Sequence, residues 1–319
     1  MKFTYIFILS FLIVYSLGAQ SVNDTIELQQ HEIVSTGNPV EFKQISKTVH
    51  IISKEQINTS TATSIDELLK IYGGADIRSR GAMGVQSDIS MRGGGFDQGL
   101  IMINGISLND PQTGHHNLNQ AIDLDDIDKI EIFEGPGTRW FGANAFSGGL
   151  NIITNQNSTK ALTVSIYGGQ YGYVNSRLAY SYNIGKVSSK TSASYKRSDG
   201  YMRNTDFEII NLNHNSTYTK RSNTINLNLG ILDKGFGANS FYTSKYPDQY
   251  EHIKTYFTAL SYKTGNRIKF YSNAYWRRNY DRFELFREDK NWYIKQGDIY
   301  INGSDTAGFP TPSGIYPYQ

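Results

Sequence analysis

The chain has 319 residues, a net charge of +2 and no cysteine. That excludes a disulfide framework, a thiol nucleophile and a cysteine-ligated metal, and the charge gives no general pull toward nucleic acid. Thirty glycines and 23 tyrosines against seven prolines point to an ordered, β-rich chain with many tight turns.

The N-terminal stretch MKFTYIFILSFLIVYSLGAQ has one lysine, an apolar core from Tyr5 to Leu17 and then small residues. This is the pattern of a secretory signal peptide, residues 1–19, cleaved near Gly18 or Ala19. Beyond it no apolar run approaches the length of a membrane-spanning helix, so the mature chain is expected outside the inner membrane, either soluble or inserted as strands. Residues 20–44 are polar and low in pattern and read as an extension.

A compact α+β unit is expected over residues 45–157. KTVHIIS (47–53) reads as a strand, and Ser53 with Gln56 has capping-box spacing for a short helix. A second such pair, Ser64 and Glu67, opens a helix with Ile65, Leu68, Leu69 and Tyr72 on one face and Gly73 as its stop. ADIRSR, SDISMRG and LIMINGISL follow, and Asn104-Gly105 between apolar runs predicts a two-residue hairpin. The acidic run Asp123, Asp125, Asp126, Asp128 lacks the spacing and glycine of a calcium loop and reads as a solvated turn leading to Ile130. IDKIEIFE and GLNIIT complete the unit. Between them, GPGTRWFGANAFSGG (135–149) has the glycine content of a phosphate loop. The β-branched run behind it has no helical period, however, and the lysine is missing, so nucleotide binding is not expected.

After Asn157 the texture changes to segments of ten or more residues that alternate apolar or aromatic with polar. ALTVSIYGGQ, YVNSRLAYSYNI, VSSKTSASYKRS, IINLNHNSTYTK, NTINLNLGIL, TYFTALSYKT and RIKFYSNAYWRRNY are the examples. The outward series include Leu178, Tyr180, Tyr182, Ile184 and Ile225, Leu227, Leu229, Ile231. Short links at 185–186 and 264–266 alternate with long ones at 198–206 and 233–251. This is the pattern of antiparallel transmembrane β-barrel strands. A soluble sandwich also alternates, but its core face would be aliphatic, whereas here one face is rich in tyrosine and the other in Asn, Ser, Thr and Lys. The basic and aromatic stretch Tyr275–Asp289 fits lipid-interface contact better than nucleic acid.

Seven to nine strands are too few. A barrel of about eight fills its interior with side chains, leaving no room for residues 45–157, so the unit lies outside or the barrel is larger than this chain encodes. The chain stops at SGIYPYQ in apparent mid-loop, and an unpaired edge in lipid costs several kcal/mol per orphaned group. The expectation is the front part of a longer, C-terminally truncated chain.

These residues carry a family resemblance. ISMRGGGFDQGLIMINGISLNDPQTGHHN and IDKIEIFEGPGTRWFGANAFSGGLNIIT, in that order, resemble the plug domain of TonB-dependent outer-membrane receptors, over about residues 45–157. The DPQTGHHN version resembles the Bacteroidetes-type branch, which includes cobalamin receptors. The resemblance implies an α+β plug (45–157) followed by residues 158–319 as the first seven to nine strands of an incomplete 22-stranded barrel in a Gram-negative outer membrane. The glycines of 135–149 would then let the plug sheet double back close to the barrel wall.

The implied function is import of a scarce, bulky ligand: a ferric siderophore, haem or cobalamin. Import is powered by the proton motive force through TonB with ExbB and ExbD. The alternative is a non-transporting adhesin or signalling receptor on the same fold; signalling members carry a further N-terminal domain, for which residues 20–44 leave little room. An enzyme is not expected, because no nucleophile–base pair, metal cluster, paired carboxylate set or Gly-x-Ser-x-Gly motif is present; no cofactor is implied. TonB would grip an extended segment by strand addition. HEIVSTG (His31, Glu32, Ile33, Val34, Ser35, Thr36, Gly37) fits that box, with DTIEL (24–28) as its rival. Relatives carry a basic residue before Gly-Pro that joins an ion-pair latch to the barrel wall. Here Glu134 takes that place, so Arg92, Glu131 and Arg139 are the candidate latch. Asn109, Asp110, Gln112, His115, His116 and Asn117 would form an apical plug loop facing the ligand, and the adjacent histidines are not read as metal ligands.

Overall fold

The structure, a computed structural model, describes residues 48–110, 112–154, 161–265 and 268–287; for 32–33, 40–41, 139–140, 294–296, 299–302 and 305–307 it describes the backbone alone. Among the described residues no helix is long and apolar enough to cross a membrane. The signal-peptide residues 1–19 lie outside them.

Residues 48–154 build around a five-stranded sheet. Its strands are β1 (Val49–Ile52), β4 (Gly99–Ile103), β5 (Ile106–Ser107), β6 (Ile127–Glu134) and β7 (Gly148–Thr154), in the order β1-β6-β7-β4-β5. All pairings are antiparallel except β4 with β7, which run parallel. β4 and β7 are buried at every position: GLIMI is apolar throughout, and in GGLNIIT the buried Asn151 is satisfied by Gly105 N and Glu131. A separate hairpin joins β2 (Asp76–Arg80) to β3 (Gln86–Ser90).

Two helices cover the sheet. α1 (Lys54–Thr59) starts on the expected capping box: Ser53 Oγ accepts from Gln56 N, and Gln56 Oε1 accepts from Ser53 N. α2 (Ile65–Tyr72) buries Ile65, Leu68 and Leu69, with Tyr72 packed at the margin of the same cluster. Leu68 and Leu69 are fully buried, each worth about 1.5–3 kcal/mol of transfer free energy. The cap of α2 differs from the expected box. Ser64 Oγ is taken by Asp66 Oδ1 (2.5 Å), so Glu67 turns back to Thr63 instead, accepting from its N (2.7 Å) and Oγ1 (2.9 Å). Gly73 does end the helix, for a steric reason: a Cβ there would lie 2.6 Å from Leu69 O, while the left-handed residue is Gly74, at φ +61°. The predicted hairpin is present, with Asn104 and Gly105 at φ +51° and +79° between paired Ile103 and Ile106.

The glycine-rich connection contains the short helix α3 (Thr138–Phe141) and then enters a strand, not a helix. Its close approach is to the plug's own strands. A Cβ at Gly149 would sit 2.5 Å from Phe133 Cζ and 2.7 Å from Leu100 O; one at Gly148, 2.5 Å from Phe133 O. β7 is threaded between β6 and β4, and glycine is needed where those strands converge.

Residues 161–284 form one open seven-stranded antiparallel sheet, each strand paired with the next. Its strands are β8 (Ala161–Gly168), β9 (Val174–Ile184), β10 (Val187–Ser198), β11 (Phe207–Lys220), β12 (Asn223–Gly237), β13 (Tyr250–Thr264) and β14 (Phe270–Glu284). Tight turns at 185–186 and 221–222 mark one end, and the connections 199–206 and 238–249 the other. One face carries Leu178, Tyr180, Leu212, Ile225, Leu229, Ile231, Tyr256 and Leu260, all exposed. The other face buries Arg177, Ser192, Ser194, Asn211, Asn213, Asn215, Asn226, Asn228 and Lys234 against the plug. A sheet that hides its polar face and exposes its apolar one is built for lipid outside and a hydrated filling within.

Candidate functional site: the plug–barrel contact

Alternation places Lys190, Ser192, Ser194 and Lys196 of β10 on the inward face, one above another. Opposite them the plug presents the 3₁₀ turn Leu124–Asp126, entered from Asp123. Asp123 makes no side-chain cap for that turn, which leaves its carboxylate for the wall. Oδ2 accepts from Ser194 Oγ (2.6 Å), and Oδ1 from Asn211 Nδ2 (3.2 Å) with Lys196 Nζ at 3.3 Å. Asp126 is held harder: Arg177 Nη2 at 2.5 Å, Lys190 Nζ at 2.8 Å and Ser192 Oγ at 2.6 Å. Both carboxylates are buried. The expectation of a solvated acidic turn is thus overturned for Asp123 and Asp126. The spacing of three residues points both side chains at one wall, and the cations that receive them come from strands more than fifty residues later.

A second station lies on β12. Lys234 is buried and donates to Gly84 O (2.9 Å), Val85 O (2.7 Å) and Asn119 Oδ1 (2.7 Å), so one barrel ammonium holds two plug loops. Nearby, Asp66 accepts from Ser64, Ser79 and Ser87. Burial opposes its ionisation, yet those three hydroxyls and the Lys234 charge hold the carboxyl below the ordinary aspartate range. Apolar contact supplements this: Val85 and Ala121 of the plug pack with Phe207, Ile209, Leu232, Phe236 and Ile253 of the strands.

The third station is the loop 109–117. Asn109 braces it from within, its Oδ1 accepting from Ile101 N (2.8 Å) and its Nδ2 donating to Gly99 O (2.8 Å). Asn117 Oδ1 accepts from Asp110 N (2.9 Å). Asp110 caps the turn by accepting from Gln112 N (2.9 Å) and Thr113 N (3.2 Å), and its other oxygen meets Arg277 Nη1 of β14 at 2.9 Å. Burial opposes the charge on Asp110, but the Arg277 bond and the two amides outweigh it and keep the carboxyl below its usual value. His116 is buried with Nε2 3.2 Å from Asp281 of β14, while His115 Nδ1 lies 2.6 Å from plug Asp88 and stacks on Phe96. Gln112 is exposed. Of the expected ligand-facing set, Asp110, His116 and Asn117 are buried, with Asp110 and His116 tied to the wall. Tyr242, from the loop 238–249, closes over His115, and its hydroxyl donates to Glu251 (2.5 Å). Burial, then the Glu251 carboxylate, push that phenol's pKa upward.

The expected latch residues do not meet one another among the described side chains. Arg92 Nε pairs with Glu134 (3.1 Å), which also takes His50 Nε2 at 3.3 Å; all three belong to the plug. Glu131 is fully buried on β6, with Lys129 Nζ at 3.0 Å and Asn151 Nδ2 at 3.2 Å. The Arg139 side chain lies outside the described residues. Among the described residues the plug's carboxylate contacts with the strands are made by Asp110, Asp123 and Asp126, which sequence reasoning did not single out as latch residues. Of the HEIVSTG segment, Glu32–Ile33 pairs antiparallel with Val40–Glu41, while His31 and Val34, Ser35, Thr36 and Gly37 lie outside the described residues.

Residues 41–149 match the family described as TonB-dependent Receptor Plug Domain. The vitamin B12 transporter BtuB of Vibrio cholerae serotype O1 is 32% identical over 176 residues, covering 54% of this chain and 29% of that protein. BtuB of Vibrio vulnificus (strain YJ016) is 29% identical over 201 residues, 59% of this chain and 30% of the relative. The match thus spans less than a third of these relatives' length. Among solved structures, the ferric citrate transporter FecA in its unliganded form superposes with a TM-score of 0.63 at 15% identity, covering 80% of this chain and 42% of that one. The ferric yersiniabactin uptake receptor FyuA of Yersinia pestis gives 0.62 at 17%, covering 80% and 43%.

Proposed function

We propose that the chain, whose residues 41–149 match the TonB-dependent Receptor Plug Domain family and whose residues 161–284 form one open antiparallel sheet, gates import of a bulky, scarce ligand across an outer membrane by displacement of the plug. The candidate ligand classes are a corrinoid, a ferric siderophore or haem, and the name of the sequence relatives favours the corrinoid. The outer membrane holds no ATP and sustains no ion gradient, so the work comes from TonB with ExbB and ExbD. We assign residues 31–37 as the segment TonB grips, residues 45–157 as the plug and residues 158–319 as barrel strands, with the N-terminal 19 residues as the export signal. The alternating pattern and the Glu32–Ile33 extended backbone support a strand-addition contact.

One observation carries the reading: the plug meets the wall largely through hydrogen bonds and ion pairs. Withdrawing the plug wets both partners of each pair together. The net loss per hydrogen bond is then only about 0.5–1.5 kcal/mol, because water replaces what the protein gives up. A seal made only of apolar side chains would resist at every Å² exposed. Cells lacking the gene are expected to lose energy-dependent uptake of one of the three ligand classes, and deleting residues 31–37 should abolish uptake while leaving ligand binding intact. Unchanged uptake of all three in the null strain sinks the import reading; uptake that survives the deletion removes only the box.

A further inference from the structure

We propose that the outward face of β13 and β14 carries a binding site for the phosphate of a lipid headgroup, formed by Lys254 and Arg278 between three aromatic rings. The proposal rests on the reading of residues 161–284 as membrane strands.

The register fixes which residues share the site. Lys254 is paired with Tyr280, Tyr256 with Arg278 and Thr258 with Trp276. Alternation places all six on the face opposite the plug, since the intervening Ile253, Thr255, Phe257 and Ala259 are buried against it. Lys254, Tyr256, Trp276, Arg278 and Tyr280 line one open groove of about 520 Å³. Toward the tight-turn end the next outward rows are apolar or weakly polar: Leu227, Leu260 and Ala274, then Ile225, Tyr262 and Ser272. Toward the long-loop end they are charged, with His252 and Arg282. The groove therefore sits on the boundary between an apolar band and a polar rim, where aromatic rings with one wet edge collect.

Two cations stand in that position beside a single carboxylate, Asp233. Lys254 shares Asp233 (3.0 Å) with His252 (2.5 Å), so a single carboxylate serves two neighbours. Arg278 stands with its guanidinium 4.7 Å from the Tyr280 ring centroid and meets no carboxylate among the described residues. It lies level with Tyr256 and Ile231, at the edge of the apolar band. An unpaired guanidinium at that depth is costly beside hydrocarbon, and a planar fork of donors matches phosphate oxygens. The tyrosines and Trp276 supply the walls against which sugar or acyl carbon would pack. A lipid phosphate, carried by a molecule already resident in the bilayer at the long-loop end, meets all of these requirements. A soluble phosphate would meet only the charge.

The test uses the protein reconstituted in vesicles of phosphatidylcholine containing a brominated lipid as the probe, with tryptophan quenching as the readout. Brominated phosphatidic acid should quench more effectively than brominated phosphatidylcholine at equal mole fraction. Each cation near a membrane surface is worth about fivefold in such selectivity. Lys254→Gln and Arg278→Gln together should bring the ratio close to one, whereas Lys254→Arg with Arg278→Lys should keep most of it. Equal quenching by both lipids in the unsubstituted protein overturns the site, as does selectivity that survives the double glutamine change. Selectivity abolished by millimolar inorganic phosphate would show a free-anion site and overturn the lipid assignment. Quenching by neither lipid overturns the membrane reading on which the site depends.

Discussion

Asp126→Ala removes the carboxylate on which three wall groups converge: Arg177 at 2.5 Å, Lys190 at 2.8 Å and Ser192 at 2.6 Å. Arg177 is 7% exposed and retains only Asp125, 3.7 Å away and largely in solvent. Lys190 retains the Asp125 carbonyl at 3.2 Å. Stripping one partner from a buried pair costs about 3–5 kcal/mol, chiefly because the other charge stays desolvated. With Asp125 and that carbonyl as partial substitutes, about 3 kcal/mol is expected. At 1.4 kcal/mol per decade this corresponds to a roughly 100-fold fall in the protection of amides that open with plug release. Hydrogen exchange over residues 123–134 of the protein in detergent reads it directly. Arg177→Met in the same chain should recover part of the loss, since no orphaned guanidinium is left, and the two changes should fail to add by about 1–3 kcal/mol. Protection altered by less than threefold, or strict additivity, would refute the claim that Asp126 fastens the plug to the wall.

Acid should loosen the same contact. Asp66 and Asp110 both have folded-state values below the ordinary one, so their contribution is present at neutral pH, begins to fade as pH falls past the unfolded aspartate value near 4, and is gone below the folded value. Exchange corrected for intrinsic rates should therefore show a plug less protected near pH 3 than at pH 6, and Asp110→Asn should flatten that difference; an identical profile in the variant would count against the Arg277 contact. Leu68→Ala empties a fully buried position in the plug core and should lower plug stability by about 2–5 kcal/mol in a denaturant titration. Gly149→Ala places a methyl 2.5 Å from Phe133 Cζ and 2.7 Å from the Leu100 carbonyl oxygen, so a loss of about 1–3 kcal/mol is expected where a surface Gly→Ala change would be neutral. A neutral outcome there would mean that β4 and β6 can spread to admit it.

Much of the architecture is legible because local rules act alone. The Ser53–Gln56 box, the Asn104-Gly105 turn and the Ile65, Leu68, Leu69 stripe each depend on residues within a few positions of one another, and each is found. The alternation of Ile225, Leu229 and Ile231 was sufficient to place them on the exposed face. Where a short-range signal failed, a long-range partner had intervened. Ser64 matches the capping pattern, but Asp66 sits within a knot of serines from β2 and β3 and draws the Ser64 hydroxyl away from the helix end. Gly148 and Gly149 announce close approach without saying to what.

The acidic turn shows the same limit more sharply. An Asp-rich turn in isolation is most stable in water, and nothing between residues 120 and 130 says otherwise. What reverses its environment is a row of alternate residues on β10, Lys190, Ser192, Ser194 and Lys196, which sequence alone reads only as the non-lipid face of a strand. Neither half is interpretable without the other, because buried carboxylates and buried lysines are each unfavourable until paired. The lumen of a barrel offers the setting in which both can be polar: lipid takes the apolar face, so the inward face is free to carry charge. A plug docked on such a face meets complementary groups in place of an apolar seal, and its own carboxylates determine where it is held. Among the described residues Asp123 and Asp126, on the turn leading into β6, each meet three groups of the strands, while Arg92 and Glu134 form an ion pair within the plug.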